Sequence, residues 1–444
     1  MNGRNKIIVD YLTINDENVM DVYLDAQGQF QTLKGQIQNL YNIYRGQTKI
    51  DQKEKETRKD INFKITENIP YQIVNFKIGH IFGEPVQYVA RNSNILEVDK
   101  FNDLMKRLSK GAEDNALAEW LFICGVAYRY IKPNPFKIKT LSPLNTYLIR
   151  SDDVLNSVIG GVVVTTHKGV DLAYLYTPEK IYTINQGINY EVSDNNLGFV
   201  PIVEYTTQSR IGAFEPAIPL TDAINSLQSN RMDDIAQIVN SILILYGAEM
   251  DAETHDKLEQ WKTLMLPDGA DAKYISPQLG NQVQDFKNDL YQSVLNICAM
   301  PNRNGGSSTS DTGRAVIYRD GWTDAEAYAK IIEARFIESE NKFLEFAFSI
   351  VRDVENINLT LDDIDVKFAR RYTDDLLTKV QAMQQMMAAG IKPDIAISTS
   401  GIWNDPTTVA IESRPYLVKW EEENVREDGQ EASYLQETST EIIL

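Results

Sequence analysis

The stretch from Pro301 to Val351 constrains this chain more than any other. It opens on a glycine- and hydroxyl-rich loop made of Asn302, Arg303, Asn304, Gly305, Gly306, Ser307, Ser308, Thr309, Ser310, Asp311, Thr312 and Gly313. An unbroken helical pattern follows from Arg314 to Val351. Adjacent glycines restrict φ and ψ little and the small polar residues after them bury nothing, so the loop is expected to be flexible. In the helix, apolar or small residues at Tyr318, Trp322, Ala325, Ala329, Ile332, Phe336, Phe343, Ala347 and Ile350 mark one buried face. Such a helix would run roughly 55 Å, well beyond the usual length in a globular domain. No proline interrupts it, and Gly321 is the obvious place for a bend. A flexible loop on so long a helix suits machinery that spans an assembly.

The 444 residues supply material for several subdomains. Net charge is −19, from 44 basic and 63 acidic residues. Gripping DNA takes many Lys and Arg contacts to phosphate, so an acidic protein that handles DNA has to let it slide. Cys124 and Cys298 lie in apolar contexts, give no disulfide framework and point to a reducing compartment. No apolar segment follows Met1–Lys6, so no signal peptide is expected. The apolar run near Ile238 to Ala248 is too short to span a bilayer. The expectation is a soluble, intracellular protein without a membrane partner.

Read in order, residues 1–48 have helical spacing and Lys49–Asp60 is a mixed charge run that reads as a solvated face. A helix over Glu67–Phe82 stops at Gly83-Glu84-Pro85, a strand starts at Val86, and an amphipathic helix pair covers Phe101–Phe122. From Gly125 to Val192, β-formers alternate with short polar turns, which predicts an antiparallel sheet holding many of the 22 tyrosines; Gly198–Glu204 closes it. Leu220–Tyr246 reads as a second long helix with an apolar stripe through Ile224, Leu227, Met232, Ile235, Ile238, Ile242 and Leu245. Met250–Gly280 is mixed: a short helix around Glu253–Trp261, then strand-like Thr263–Leu266 and Ala272–Ile275. Val283–Met300 is helical again. After the long helix come a strand at Asp365–Ala369, a Met-rich helix over Asp374–Ala389, a last helix from Pro406 or Thr407, and an acidic tail from Glu421 whose end is expected to be disordered. The class is α+β.

Catalytic patterns are missing. His80, His167 and His255 have no ligand spacing, and the glycine-rich loop lacks the lysine of a phosphate-binding loop. Asp362, Asp363 and Asp365 form the only imaginable metal cluster, and a turn before a strand commonly carries such residues. Met383, Met386 and Met387 read as a core or interface stripe. No enzyme activity, metal or cofactor is expected.

Several blocks, in order, carry a resemblance. They are Tyr41–Gly46 with the charge run behind it, and Lys77–Val86 ending in Gly-Glu-Pro-Val. Gly198–Tyr205 follows, leading to the helix with Asp222 and Asn225, and then Phe286–Ser293, the Gly/Ser loop and the long helix. The last is Val366–Arg371 before helices and an acidic tail. Together they resemble a portal protein of tailed bacteriophages, of the kind found in siphophages of Gram-positive hosts.

The resemblance implies a non-enzymatic ring, usually of about twelve subunits, at one capsid vertex of the virion, assembled in the host cytoplasm. In that fold residues 1–218 would be an N-terminal wing of helices plus antiparallel sheet. Residues 219–249 and 282–300 would form a two-helix stem, and 250–281 a small α/β clip. Residues 301–313 would be the tunnel loop, 314–352 the long kinked wing helix and 353–372 a wing strand, with crown and acidic tail in 373–444. Double-stranded DNA would pass through the channel past Asn302–Gly313. Arg303 is the basic residue inside that loop, and Lys257, Lys262, Lys273 and Lys287 are candidate channel-facing bases, with solvated surface lysines as the equal alternative. Implied partners are terminase, a head–tail adaptor, the major capsid protein and a scaffold protein. Two rivals stand beside this reading: another ring-forming structural protein of a phage-like particle, and a metal-dependent nuclease using Asp362, Asp363 and Asp365.

Overall fold

The computed structural model describes residues 3–56, 59, 61–91, 94–167, 169–239, 242–246, 271–275, 281–302, 321–368, 376–403, 406 and 408–413. The chain starts with strand β1 (Ile7–Val9) and helices α1 (Val19–Tyr44) and α2 (Ile69–Ile81). Strand β2 (Gln87–Ala90) and helices α3 (Ile95–Arg107) and α4 (Lys110–Cys124) follow. A run of strands comes next: β3 (Val126–Lys132), β4 (Lys137–Leu141), β5 (Thr146–Ser151), β6 (Val158–His167), β7 (Val170–Tyr176), β8 (Lys180–Asn185), β9 (Asn189–Asp194) and β10 (Ile202–Thr206). Helix α5 (Ile218–Val239), strands β11 (Ile242–Tyr246) and β12 (Asp271–Ile275) and helix α6 (Asn281–Ile297) lead to the long α7 (Trp322–Val354). Strand β13 (Ile364–Lys367) and helices α8 (Leu376–Ala388) and α9 (Pro393–Ser400) complete the order. The fold is α+β, as the residue patterns predict.

Two compact units divide the chain. One holds Gln38–Val74 and Ala213–Tyr328; the other holds Asn2–Ile37, Asn75–Gly212 and Ala329–Leu444.

The larger unit is built on a six-stranded sheet, β1-β5-β6-β7-β8-β9. Successive hairpins make β5 to β9 antiparallel, while β1 joins β5 in parallel with Ile7 opposite Ile149. The part of α1 in this unit buries Val19, Val22, Tyr23, Ala26, Phe30, Leu33 and Ile37 at helical spacing, and Phe30 stacks on Tyr147 at 4.3 Å. Each large side chain so buried contributes about 1.5–3 kcal/mol. A three-stranded sheet, β10-β3-β4, shares with the large sheet a core of Tyr128, Leu148, Val200 and Ile202. Strand β13 pairs with β2, and Phe336 of α7 meets Phe82, Tyr205 and Phe368 at 5.0–5.5 Å between ring centroids. Helix α4 turns into β3 at Gly125, whose φ is +78°; a Cβ there would lie 2.4 Å from the carbonyl carbon of Arg210. Only glycine permits both that backbone and that approach.

In the smaller unit α5 packs on α6, and β11 pairs with β12 in an antiparallel ladder from Ile242↔Ile275 to Tyr246↔Asp271.

Four expectations need correction. Helix α5 ends at Val239, and Ile242–Tyr246 is a strand rather than the last turns of a helix to Tyr246. A five-residue apolar run of isoleucine, leucine and tyrosine fits either state by periodicity, and the ladder with β12 decides it. The unbroken pattern read from Arg314 to Val351 is interrupted at Gly321, the expected place for a bend, whose φ is +77° and after which α7 starts at Trp322; residues 314–320 lie outside the described residues. The N-terminal segment holds a strand, Ile7–Val9, because three β-branched residues find an open edge on β5. The predicted single antiparallel sheet is divided between two sheets, with β1 parallel to its neighbour.

Candidate functional site

Helix α5 buries a polar stripe, while Ile235 of the expected apolar stripe is 42% exposed. Thr221, Asn225, Ser229 and Asp233, four residues apart, are each at most 3% exposed. Thr221 donates to the Ile218 carbonyl of its own helix, and extended backbone meets the other three. The Phe63 N–H donates to Asp233 Oδ1 at 2.7 Å, the Ile65 N–H to Ser229 Oγ at 2.9 Å and the Glu67 N–H to Asn225 Oδ1 at 2.8 Å. The match is geometric: two residues of extended chain advance about 6.6 Å and four residues of helix about 6.0 Å. Alternate amides of the strap therefore meet every fourth residue of the helix. A strap donor left buried without its acceptor would cost about 1–3 kcal/mol.

The charge run fastens one end of this strap. Lys53 and Lys55 both reach Asp233 Oδ2 at 2.7 Å, and Lys49 pairs with Asp222 at 3.0 Å. Burial alone would raise the Asp233 carboxyl, but hydrogen bonds from Lys53, Lys55 and the Phe63 amide outweigh it and bring the pKa to about 2. The run is thus more than a solvated face. Its signal in the sequence is the i, i+4, i+8 spacing of Asn225, Ser229 and Asp233 together with a nearby run of lysines. At the other end Glu67 accepts from Gln228 Nε2 at 2.5 Å and pairs with Lys287 of α6 at 2.6 Å. Arg231 of α5 donates to Gln284 of α6 at 2.7 Å.

The candidate DNA-facing residues fall differently. Lys287 is engaged with Glu67, with its side chain 20% exposed. Lys273 lies in β12 opposite Ile244. Asn302 is half-buried. Arg303, Asn304, Gly305, Gly306, Ser307, Ser308, Thr309, Ser310, Asp311, Thr312, Gly313, Lys257 and Lys262 lie outside the described residues, as do the expected short helix at Glu253–Trp261, the expected strand at Thr263–Leu266 and the acidic tail.

The larger unit has a buried ionic hub that the sequence reading misses. Glu340 of α7 is 0% exposed and accepts from Tyr88 (2.5 Å), Lys110 (2.9 Å), Arg129 (3.0 Å) and Tyr205 (2.5 Å). Asp114 pairs with both Lys110, at 2.6 Å, and Arg129. Two carboxylates and two cations balance, and the Arg129 guanidinium also lies 4.9 Å from the Phe343 ring centroid. Desolvation pushes the Glu340 carboxyl up, but Lys110, Arg129 and the two tyrosine hydroxyls prevail and hold it at about 2. Burial first, and then Glu340, raise the Tyr88 and Tyr205 hydroxyls well above their ordinary value, so both stay protonated donors. A third buried carboxylate of this unit, Glu204, is gripped by Arg210 through two bonds of 3.0 Å and by Arg150 at 2.8 Å. These groups bind one another, and their partners come from β2, α4, β3, β10 and α7, so they position the long helix.

The acidic residues of the nuclease alternative do not converge. Asp363 caps a turn by accepting from the Thr360 N–H at 2.9 Å and its hydroxyl at 2.7 Å, while Asp365 pairs with Arg91 at 2.5 Å. Among the described residues no group of three or more His, Cys, Asp or Glu side chains is arranged to hold a metal ion, and no helix is long and apolar enough to cross a membrane.

The sequence matches the family described as phage portal protein, SPP1 Gp6-like, over residues 27–406. No curated protein matches the chain. Among solved structures it is similar to a chain in the neck of an empty GTA particle computed with C6 symmetry, at 12% identity and a TM-score of 0.44, covering 82% of this chain and 93% of that one.

Proposed function

The chain belongs to the SPP1 Gp6-like family of phage portal proteins, and from that membership we propose that it forms the ring-shaped channel at one capsid vertex through which double-stranded DNA is packaged and ejected. The ring holds about twelve copies, joined head to tail so that the rotation closes. α5 and α6 make its stem and β11–β12 its clip. The loop Asn302–Gly313 lies toward the DNA, and α7 lies behind it. It hydrolyses no nucleotide and serves as a docking platform for terminase, head–tail adaptor, capsid shell and scaffold. The protein is a virion component that assembles in the host cytoplasm.

The observation that carries this reading is the family match, which runs through both stem helices, the glycine-rich loop and the long helix. The acidic balance supports it, since a channel lined with many Lys–phosphate contacts would brake moving DNA. The test is negative-stain electron microscopy of the purified protein with mass determination. Rings of about twelve subunits around a channel wide enough for B-DNA are expected. A monomer or dimer at every salt concentration, with no incorporation into capsids, would sink the reading.

A further inference from the structure

Three strand edges in the larger unit, those of β1, β4 and β2, meet side chains that close them. The free edge of β1 meets the amide of Gln29, which accepts from the Ile8 N–H at 3.2 Å and donates to the Ile8 carbonyl at 2.8 Å, as a neighbouring strand would. At β4, Glu113 accepts the Thr140 N–H at 2.6 Å and receives the Thr140 hydroxyl on its carbonyl at 2.8 Å. At β2, Asn102 donates to the Tyr88 carbonyl at 2.8 Å. Open edges invite pairing with other chains, and such caps prevent it.

Strand β9 has no such cap among the described residues. It is the outer strand of the six-stranded sheet and, among the described strands, pairs with β8 alone. The turn bond from the Ile188 N–H to the Asn185 carbonyl and the bond from the Asn195 N–H to the Glu179 carbonyl fix which residues face β8. By alternation, Tyr190, Val192 and Asp194 turn their backbone groups outward. No described residue caps them. Five of the six residues of β9 are exposed, and Ile188 beside it is 71% exposed. The strand carries Glu191 and Asp194 and has no lysine, proline or bulge to blunt it.

We propose that β9 is a docking edge for an extended segment of another polypeptide that carries lysine or arginine and adds to the sheet as a seventh strand. Six residues give a ladder of about 20 Å, with main-chain bonds at Tyr190, Val192 and Asp194. Charge complementarity to Glu191 and Asp194 selects a basic segment. A second copy of this chain fits poorly. Pairing β9 with β9 is twofold and does not extend around a ring, and the basic edge strand β4, with Lys137 and Lys139, is closed by Glu113. The exclusion of a second copy rests on the ring reading above.

Residue-resolved hydrogen exchange on the isolated ring and on the assembled particle tests this. The amides of Tyr190, Val192 and Asp194 are expected to exchange fast in the ring and about tenfold or more slower in the particle. A zero-length carbodiimide should join Glu191 or Asp194 to a lysine of a different polypeptide. Val192→Pro, which deletes one outward N–H, should leave ring formation and thermal melting unchanged and abolish the cross-link; Glu191→Lys with Asp194→Lys should do the same. Equal exchange in ring and particle, protection already complete in the ring, or cross-links only to this chain's own lysines would overturn the proposal. A chain that forms no ring removes the portal reading instead. β9 is then tested on the isolated chain with a synthetic peptide alternating valine and lysine, and no slowing of the three amides overturns the docking edge by itself.

Discussion

Replacing Asp233 by Asn tests the strap on α5. The Asn side chain keeps an oxygen for the Phe63 N–H but loses the charge that Lys53 and Lys55 face at 2.7 Å. The native carboxyl falls from 3.8 to about 2. At about 1.4 kcal/mol per unit, that lowering is worth about 2.5 kcal/mol between ionised and neutral forms. The lysine side chains are 17% and 27% exposed, so solvent screens part of it and about 1–2 kcal/mol remains. The sign follows from a depressed acid: the stabilisation is complete above the unfolded pKa near 4 and drains away as pH falls toward 2. The assay is amide exchange at Phe63, Ile65 and Glu67, corrected for the intrinsic rate at each pH. Near neutral pH the Asp233→Asn variant should lose protection about 5- to 30-fold at these amides. Between pH 4 and 2 the native chain should fall toward the variant, while the variant stays flat. Equal protection in both at neutral pH, or a variant with the native pH dependence, would refute the role of the lysine clamp.

Glu340→Gln leaves Lys110 and Arg129 facing Asp114 alone in a site closed to solvent, and should destabilise the larger unit by about 3–5 kcal/mol, read as an earlier urea transition reported by the buried tyrosines. Gly125→Ala forces a side chain onto a φ of +78° and into the Arg210 backbone, so the melting temperature should drop by the equivalent of more than about 2 kcal/mol. Gln29→Ala strips the cap from β1 and should speed exchange at the Ile8 amide without altering β9; an unchanged Ile8 rate would show that the cap is idle.

Much of the fold is legible in the residues because it follows from periodicity. On the long helix, Ala325, Ala329, Ile332, Phe336, Phe343, Ala347 and Ile350 are buried as their spacing predicts, and the alternating β-formers from Ala127 to Ile184 are strands. The misses share a cause. Ile242–Tyr246 and Ile7–Val9 are apolar runs with no period of their own, so their partners, β12 and β5, decide their state. Those partners are distant in sequence. Gly321 was visible as a bend, but its positive φ is a backbone state that residue type permits without requiring.

The site was harder to read, for a reason that Glu340 and Asp233 make plain. Glu340 lies four residues after Phe336 and three before Phe343, on the buried stripe itself, so its spacing says core while its chemistry says surface. Only the arrival of Lys110, Arg129, Tyr88 and Tyr205 from elements more than 130 residues away in sequence resolves the conflict. Asn225, Ser229 and Asp233 invert the case. A helix that packs against side chains needs methyl groups at every third or fourth position, but a helix that packs against an extended backbone needs acceptors there. A polar stripe with four-residue spacing beside a stretch of alternating apolar residues, such as Ile61, Phe63 and Ile65, is therefore a signal in its own right. It marks a strap held by main-chain amides, and its strength depends on carboxylate charge where lysines close it. Hydrophobic periodicity, taken alone, reads that face as solvent.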